Sequence, residues 1–205
     1  RAILLALGAE LELTPGCDRT DGAIIRANHI MEAFGDKYYM PNQFANDANW
    51  KSHYETTAPE IVRDTNGNVD AFVAGMGTTG TLMGCARYFR DHNLSTKVIG
   101  VEPTLNHRIQ GLKNMTESIV PAIYKPELLD RKIMCRDEDA FDTVRDLALV
   151  EGIFCGISSG AAFWGALQVA KDMPKGSTIV VLFPDRGDRY LSTEMYRSIC
   201  AICPP

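Results

Sequence analysis

The sequence contains no long hydrophobic run. No apolar stretch in its 205 residues approaches the length of about 18 residues that suggests a membrane span. Basic residues are not in excess either, because 21 lysines and arginines stand against 26 aspartates and glutamates, giving a formal charge of −5. This negative charge argues against nonspecific binding to nucleic acid or to an anionic membrane surface. We therefore expect neither nucleic acid nor a membrane among the partners.

The cysteines form neither a disulfide framework nor a metal-binding pattern. There are six, scattered along the chain: Cys17, Cys85, Cys135, Cys155, Cys200 and Cys203. This scatter is typical of free thiols in a reducing compartment. The lone Cys-x-x-Cys at the end has no second pair, and no other cluster of His, Cys and Asp has ligand spacing. The sequence predicts a cytoplasmic protein with no metal site.

The first residues lack the signals of a chain start and of a helix start. Arg1–Leu7 has the composition of a helix and ends at Gly8, but it has neither an N-cap residue nor an initiator methionine. A helix that starts in its middle indicates a piece of a longer chain. We expect this sequence to be a fragment whose opening segments are missing.

Strand-like and helix-like segments alternate along the chain. The predicted strands are Glu10–Leu13, Lys37–Met40, Val69–Ala74, Lys97–Glu102 and Ser177–Phe183, and helices are predicted near 21–34, 50–64, 82–89, 137–151 and 158–171. Residues 104–132 are predicted to be irregular and to cross the surface or a site. This order predicts an open, mainly parallel, twisted α/β sheet with helices on both faces.

The segment Pro41–Asn49 is rich in amides and has no hydrophobic periodicity. Such a segment is a candidate for a hinge or a functional loop. We therefore predict that residues 1–45 belong to a smaller N-terminal subdomain and residues 46–205 to a second one.

The most informative stretch is the turn Gly75-Met-Gly-Thr-Thr-Gly-Thr81, between a predicted strand and a predicted helix. The first turn of a helix has unpaired N–H groups and the positive end of the helix dipole, which together bind anions such as phosphate. Gly77 and Gly80 allow the backbone to approach a ligand closely, and Thr78, Thr79 and Thr81 add hydroxyl donors. A tight turn without a ligand is the alternative. The pattern is neither a P-loop nor Gly-x-Gly-x-x-Gly.

Two further segments are candidates for chemistry. Gly156-Ile-Ser-Ser-Gly160 places Ser158 at a predicted helix start, where a plain N-cap is the structural alternative. Asp185 follows a predicted buried strand, at the edge of an α/β sheet where ligands bind, and a solvated charged run is the alternative. The four histidines, which include His53 and His107, fall in segments that read as exposed, and Arg108 and Lys113 are expected to be surface charges.

These segments together resemble the cysteine synthase (O-acetylserine sulfhydrylase) family of fold-type II pyridoxal-phosphate enzymes, which are similar to the tryptophan synthase β subunit. The resemblance covers almost the whole chain in order and spacing. It rests on these stretches: Gln43-Phe-Ala-Asn-Asp-Ala-Asn49, Thr56-Thr-Ala-Pro-Glu-Ile61, Gly75-Met-Gly-Thr-Thr-Gly-Thr81, Val101-Glu-Pro103, Glu151-Gly-Ile-Phe-Cys-Gly-Ile-Ser-Ser-Gly160 and Asp185-Arg-Gly-Asp-Arg-Tyr-Leu-Ser-Thr193. The Gly77–Thr81 turn and the Asp185–Tyr190 segment are more similar to the B isoform than to the A isoform.

The resemblance implies a site for pyridoxal phosphate. The residues Gly77 to Thr81 hold the phosphate, Ser158 contacts the pyridine nitrogen, and Gln43 lies beside the substrate carboxylate. The resemblance also places Gly75, Met76 and Asp185 in the same site. A neutral hydroxyl at the pyridine nitrogen suits β-elimination better than transamination.

The implied reaction is a β-replacement that makes L-cysteine from O-acetylserine and sulfide or a related sulfur donor. The lysine that forms the Schiff base belongs to an upstream motif in the family, and none of the eight lysines of this sequence lies in such a motif. We therefore expect no catalytic residue in this fragment, which alone is inactive. A homodimer and a serine acetyltransferase tail as partner are implied by the resemblance only.

Two other functions stay open. One is a cystathionine β-synthase type of β-replacement with homocysteine. The other is a non-catalytic role as a cofactor-binding or interaction fragment. The sequence does not decide between O-acetylserine and O-phosphoserine, nor does it identify the sulfur donor.

Overall fold

The computed structural model describes residues 1–193 and Met195. The chain divides into two compact units, Arg1–Asn42 and a second unit that begins at Gln43. The subdomain roles predicted on either side of residue 45 stay a prediction. The Cys200-x-x-Cys203 pair lies outside the described residues.

The first unit is helical. It contains α1 (Ala2–Ala6), a 3₁₀ turn (Gly16–Asp18) and α2 (Arg19–Phe34). The predicted strands Glu10–Leu13 and Lys37–Met40 are wrong, because both segments are irregular. A strand needs a neighbour that accepts and donates its backbone hydrogen bonds, and within residues 1–42 no such neighbour is present. Local alternation was therefore not sufficient to form one.

The second unit is built on a parallel sheet of four strands. These are β1 (Ala71–Gly75), β2 (Lys97–Pro103), β3 (Arg131–Cys135) and β4 (Ile179–Val181), in the spatial order β3-β2-β1-β4. All three neighbouring pairs are parallel. The predicted α/β class with a parallel sheet is confirmed. Strand β3 lies partly in and just after the segment predicted to be irregular, and it was not predicted.

Helices connect these strands. Three helical segments follow one another without a break: α3 (Ala48–Ser52), a π-helical turn (His53–Thr57) and α4 (Ala58–Asp64). The others are α5 (Gly80–Asp91), α6 (Asp137–Val150) and α7 (Ile157–Lys171), with short 3₁₀ turns at Pro126–Leu128 and Gly187–Tyr190. In the described part of the chain, no helix is long and apolar enough to cross a bilayer.

The sheet is covered on both faces. Successive residues of a strand point to opposite faces. Accordingly, Val73 and Val101 pack in one apolar cluster with residues of α6 and α7. Phe72 and Val98 pack in a second cluster with residues of α4 and α5, including Leu82 and Phe89. The predicted helices on both faces are therefore present, and β1 is buried at the centre of the sheet.

The described cysteines are free thiols in different environments. Cys17 is exposed, whereas Cys85 and Cys135 are buried. Burial raises the pKa of both buried thiols to about 12. The thiolate is the reactive form, so both should resist alkylation.

This difference predicts the result of iodoacetamide labelling of the native protein near pH 8. Cys17 is expected to be modified quickly, and Cys85 and Cys135 only after unfolding. Peptide mass spectrometry of native and urea-unfolded samples measures the modified fraction at each cysteine. Native labelling of Cys85 at the rate of Cys17 would contradict the buried environment.

Candidate functional site

The predicted anion-binding turn lies at the carboxyl end of the central strand. β1 ends at Gly75, and α5 begins at Gly80. The first intrahelical bond of α5 is made by the N–H of Met83 to the carbonyl of Thr79, 2.9 Å away. The N–H groups of Gly80, Thr81 and Leu82 therefore precede the hydrogen-bonded ladder and lack carbonyl partners within the helix.

A cavity of about 280 Å³ opens above this turn. Its walls come from five segments of the second unit, and its lining residues are Gln43, Ala74, Gly75, Gly77, Thr78, Thr79, Gly80, Thr81, Gly111, Leu112, Ser158, Leu182 and Pro184. All six residues predicted to bind the cofactor line this cavity, as does Gln43. The cofactor and substrate roles of these residues stay predictions.

The turn is tightly enclosed at its glycines. A Cβ atom at Gly77 would lie 2.7 Å from the carbonyl oxygen of Gly111, and one at Gly80 would overlap the Oδ1 atom of Asn49. A side chain at either position would force the turn away from its neighbours. The glycines therefore let the turn lie against the Gly111 backbone and the Asn49 side chain, and their predicted close approach to a ligand stays a prediction.

Thr79 combines a strained backbone with a buried hydroxyl that has no partner in the described part of the chain. Its backbone is in the left-handed region, with φ +68°, a conformation that costs a non-glycine residue about 1–3 kcal/mol. Its side chain is buried, and its hydroxyl has no hydrogen-bond partner within the described residues. A buried hydroxyl without a partner costs free energy, which a bound ligand can recover.

The cavity wall combines polar and apolar side chains and carries no formal charge. None of its lining residues, all of which are described, is Asp, Glu, Lys, Arg or His. An anion in the cavity therefore interacts with the N-terminal dipole of α5 and with hydroxyl and N–H donors rather than with a cationic side chain. Such a site selects a ligand by the position of its acceptor atoms.

Ser158 brings a second helix to the cavity. It lies in the first turn of α7 and is almost fully buried. The N-cap of α7 is Gly156, so Ser158 is not the cap that the structural alternative assumed. Its hydroxyl is therefore available to the cavity. Gly111 faces it, since a Cβ on Gly111 would lie 3.8 Å from Ser158 Oγ.

Of the further predicted site residues Gly75, Met76 and Asp185, the last two lie outside the cavity wall. The side chain of Met76 is fully buried and contacts Gly100 in the sheet. Asp185 accepts a hydrogen bond of 2.6 Å from the Tyr190 hydroxyl, and its neighbour Pro184 lines the cavity instead. Gly75 does line the cavity. The assignment of all three residues to the site stays a prediction.

The structure corrects the environments of several charged and histidine residues. Lys113 is buried rather than exposed, with its ammonium 5.3 Å from the centre of the Phe44 ring. His53 is half-buried, and the His107 side chain is 8% exposed. Arg108 is exposed as expected and pairs with Asp137. Lys113 packs against Phe44 and His53 against Thr81, and sequence pattern does not reveal these distant neighbours.

Several residues at the site were not predicted. Gly111 and Leu112 reach the cavity because the Lys113 N–H donates to the Met76 carbonyl, 2.8 Å away. This bond fixes the long irregular segment to the turn. The only sequence signal was the prediction that residues 104–132 cross a site. Asn49, which contacts the turn from behind, also lay in the amide-rich loop without being singled out.

In the part of the chain that the structure describes, no group of three or more His, Cys, Asp or Glu side chains could hold a metal ion.

Comparison with known proteins gives consistent results. A family model of pyridoxal-phosphate dependent enzymes matches residues 1–185. A cysteine synthase of Aquifex aeolicus is 42% identical over 200 residues, which are 96% of this chain and 61% of that protein. This chain therefore spans less than two thirds of the length of that relative.

Solved structures are similar over the same extent. Isoform 3 of the O-acetylserine sulfhydrylase of Entamoeba histolytica superposes with a TM-score of 0.85 at 37% identity, covering 96% of this chain and 61% of that one. An O-acetylserine dependent cystathionine β-synthase of Helicobacter pylori superposes with a TM-score of 0.87 at 38% identity, covering 95% and 65%.

Proposed function

Because the chain belongs to the family of pyridoxal-phosphate dependent enzymes, whose family model matches residues 1–185, we propose that its cavity binds pyridoxal phosphate with the phosphate group at the start of α5. The observation that carries this proposal is the buried hydroxyl of Thr79, which lines the cavity and has no partner in the described residues. A phosphate oxygen is the acceptor that such a donor needs.

The residues of the cavity fit this group. The turn Gly77–Thr81 offers N–H and hydroxyl donors to a phosphate, and its glycines leave room for close approach. Ser158 offers a neutral hydroxyl from another wall, suited to the pyridine nitrogen. A neutral partner does not favour protonation of that nitrogen, whereas a carboxylate would. The bound cofactor supplies an electron sink for negative charge at the Cα of an amino acid.

We propose that the full-length protein makes L-cysteine by β-replacement of O-acetylserine. The bond from Cβ to the acetate oxygen breaks, acetate leaves with the electron pair, and sulfide forms the new C–S bond. Gln43 lines the cavity and can donate its side-chain amide to the substrate carboxylate. The similarity to the cysteine synthase of Aquifex aeolicus supports this substrate pair.

None of the lining residues is a lysine or has a side chain that titrates near neutral pH. The cavity residues of this chain therefore bind and orient, and they do not move the Cα proton. We propose that a segment outside these 205 residues provides the Schiff-base lysine, which acts as the base. The 205 residues alone are then inactive.

A β-replacement with homocysteine is the second candidate. It is favoured by the similarity to the cystathionine β-synthase of Helicobacter pylori, which uses O-acetylserine. A non-catalytic cofactor-binding fragment remains the third. We further propose a cytoplasmic location, which the free thiols support, and a homodimer that binds a serine acetyltransferase tail.

Steady-state kinetics of the full-length protein test these proposals. With pyridoxal phosphate bound, it is expected to form cysteine from O-acetylserine and sulfide faster than cystathionine from O-acetylserine and homocysteine. Faster cystathionine formation would favour the second candidate. A protein that binds the cofactor but forms neither product would favour the third, and one that does not bind the cofactor would contradict all three.

Replacing Ser158 with alanine probes the predicted pyridine contact. Loss of one hydrogen bond of about 1.4 kcal/mol lowers cofactor affinity roughly tenfold. Ser158→Ala is expected to show this loss in equilibrium titration of the apoprotein, followed by cofactor fluorescence. Ser177→Ala is the matched control, because Ser177 does not line the cavity and its hydroxyl donates to the Pro174 carbonyl. Equal affinity of Ser158→Ala and wild type would contradict the contact.

A further inference from the structure

The threonines of the anion-binding turn are contacted from behind by a single helical segment. Asn49 and His53 lie four residues apart on α3 and the π-helical turn, and they therefore share one helix face. The Nδ2 atom of Asn49 is 3.1 Å from Thr78 Oγ1. The Nε2 atom of His53 is 3.2 Å from Thr81 Oγ1. One face thus reaches a threonine on each side of Thr79 and Gly80.

Close packing of two helices holds this face in place. Gly84 of α5 has no side chain, and a Cβ there would overlap the carbonyl oxygen of Trp50 and lie 2.7 Å from the Cβ of His53. The backbone of α5 therefore contacts the segment directly. The π-helical turn begins at His53, and such turns are rare and frequently occur at functional sites.

The Asn49 contact has a defined direction. Its Nδ2 group donates to Thr78 Oγ1 and, at 2.6 Å, to the carbonyl oxygen of Gln43. A hydroxyl carries one proton and accepts through its lone pairs. Because Thr78 already accepts from Asn49, its own proton remains available to an acceptor in the cavity. Asn49 also connects the turn to the segment that carries Gln43.

The His53 contact gains a direction when an anion is present. His53 Nδ1 lies 2.9 Å from Thr57 Oγ1, so the imidazole links two hydroxyls, those of Thr57 and Thr81. If Thr57 donates to Nδ1 and Nε2–H donates to Thr81, the Thr81 proton points to the cavity. The opposite direction would turn the Thr81 lone pairs towards an anion, which is repulsive. Burial lowers the pKa of His53 from its ordinary value, which favours the neutral ring that this chain of bonds requires.

We propose that Asn49 and His53 are positioning residues that direct the hydroxyl protons of Thr78 and Thr81 into the cavity and thereby make it select an anion. This inference rests on the proposed function, because the anion is the phosphate of pyridoxal phosphate. Neither residue touches the ligand. Their effect passes through the two threonines.

Titrations of the full-length apoprotein with pyridoxal phosphate and, separately, with inorganic phosphate test this proposal. A glutamine side chain places its amide near the position of Nε2, whereas an asparagine side chain reaches only that of Nδ1. His53→Gln is therefore expected to bind within about twofold of wild type, and His53→Asn and His53→Ala about five- to tenfold more weakly. His92→Gln is the control, because His92 is exposed beyond the end of α5.

Asn49→Asp is the sharpest variant at the other position. The carboxylate has nearly the same shape but can only accept, so the Thr78 proton turns away from the cavity. We expect Asn49→Ala, which loses both bonds, to weaken binding of both ligands about 30- to 150-fold, and Asn49→Asp to weaken it further. Equal affinity of the two Asn49 variants would contradict the proposed direction of the bond.

Nitrogen NMR of the His53 ring shows which ring nitrogen carries the proton. A merely structural role of His53 would not fix the position of this proton. With inorganic phosphate bound, the proton is expected on Nε2 and not on Nδ1. A ring protonated on Nδ1, or His53→Asn binding as tightly as His53→Gln, would overturn the proposal. A wild type that binds inorganic phosphate but not pyridoxal phosphate would contradict the proposed function and leave this arrangement supported.

Discussion

Replacing Gly80 with alanine is expected to weaken binding of pyridoxal phosphate about 30- to 150-fold. The new Cβ would occupy the position of Asn49 Oδ1, so the Asn49 side chain must rotate away. That movement breaks its hydrogen bonds to Thr78 and to the Gln43 carbonyl. Two bonds of about 1–1.5 kcal/mol each correspond to this loss of affinity.

A double-mutant cycle identifies the cause of that loss. In the Asn49→Ala background the overlap no longer exists, so adding Gly80→Ala is expected to change affinity by less than about twofold. Gly16→Ala is the control for a glycine in open space, because a Cβ there meets nothing within 4 Å. Equilibrium titration of each apoprotein measures the four affinities. A full loss on adding Gly80→Ala to Asn49→Ala would show that the overlap with Asn49 is not the reason.

Replacing Leu82 with alanine is expected to lower the free energy of unfolding by about 2–5 kcal/mol, the range for buried leucines. Leu82 lies in the first turn of α5, is fully buried, and belongs to the cluster that covers one face of the sheet. Its truncation removes apolar contacts and leaves a cavity between α5 and the strands. The same helix turn carries the proposed anion site, so cofactor affinity is also expected to fall.

Leu149→Ala is the matched control for this prediction. Leu149 is 84% exposed in the last turn of α6, and its truncation is expected to change stability by less than about 0.5 kcal/mol. Urea unfolding of the cofactor-free full-length protein, followed by circular dichroism, compares the two variants. Similar midpoints for Leu82→Ala and Leu149→Ala would contradict the burial of Leu82.

Local sequence signals determined the central part of the fold and of the site. The apolar run before Gly75 predicted β1, and the glycines and threonines that follow predicted the turn into α5. Both predictions depend only on neighbours within a few residues along the chain. At that range, the pattern of apolar residues, the glycines and the small polar side chains directly influence the backbone conformation. For the same reason the predicted positions of α6 and α7 differ from the observed ones by no more than one residue at either end.

Only the tertiary structure decided the remaining features. Strand β3 forms because β2 offers it a partner, whereas the equally strand-like segment Glu10–Leu13 has no partner in its own unit. Gly111 reaches the cavity through a hydrogen bond between distant backbone segments, and burial of Lys113 follows from the same contact. Asn49 and His53 read as loop and helix residues. Their position behind Thr78 and Thr81 depends on the packing of two helices that are about thirty residues apart along the chain, and local pattern carries no information about such packing.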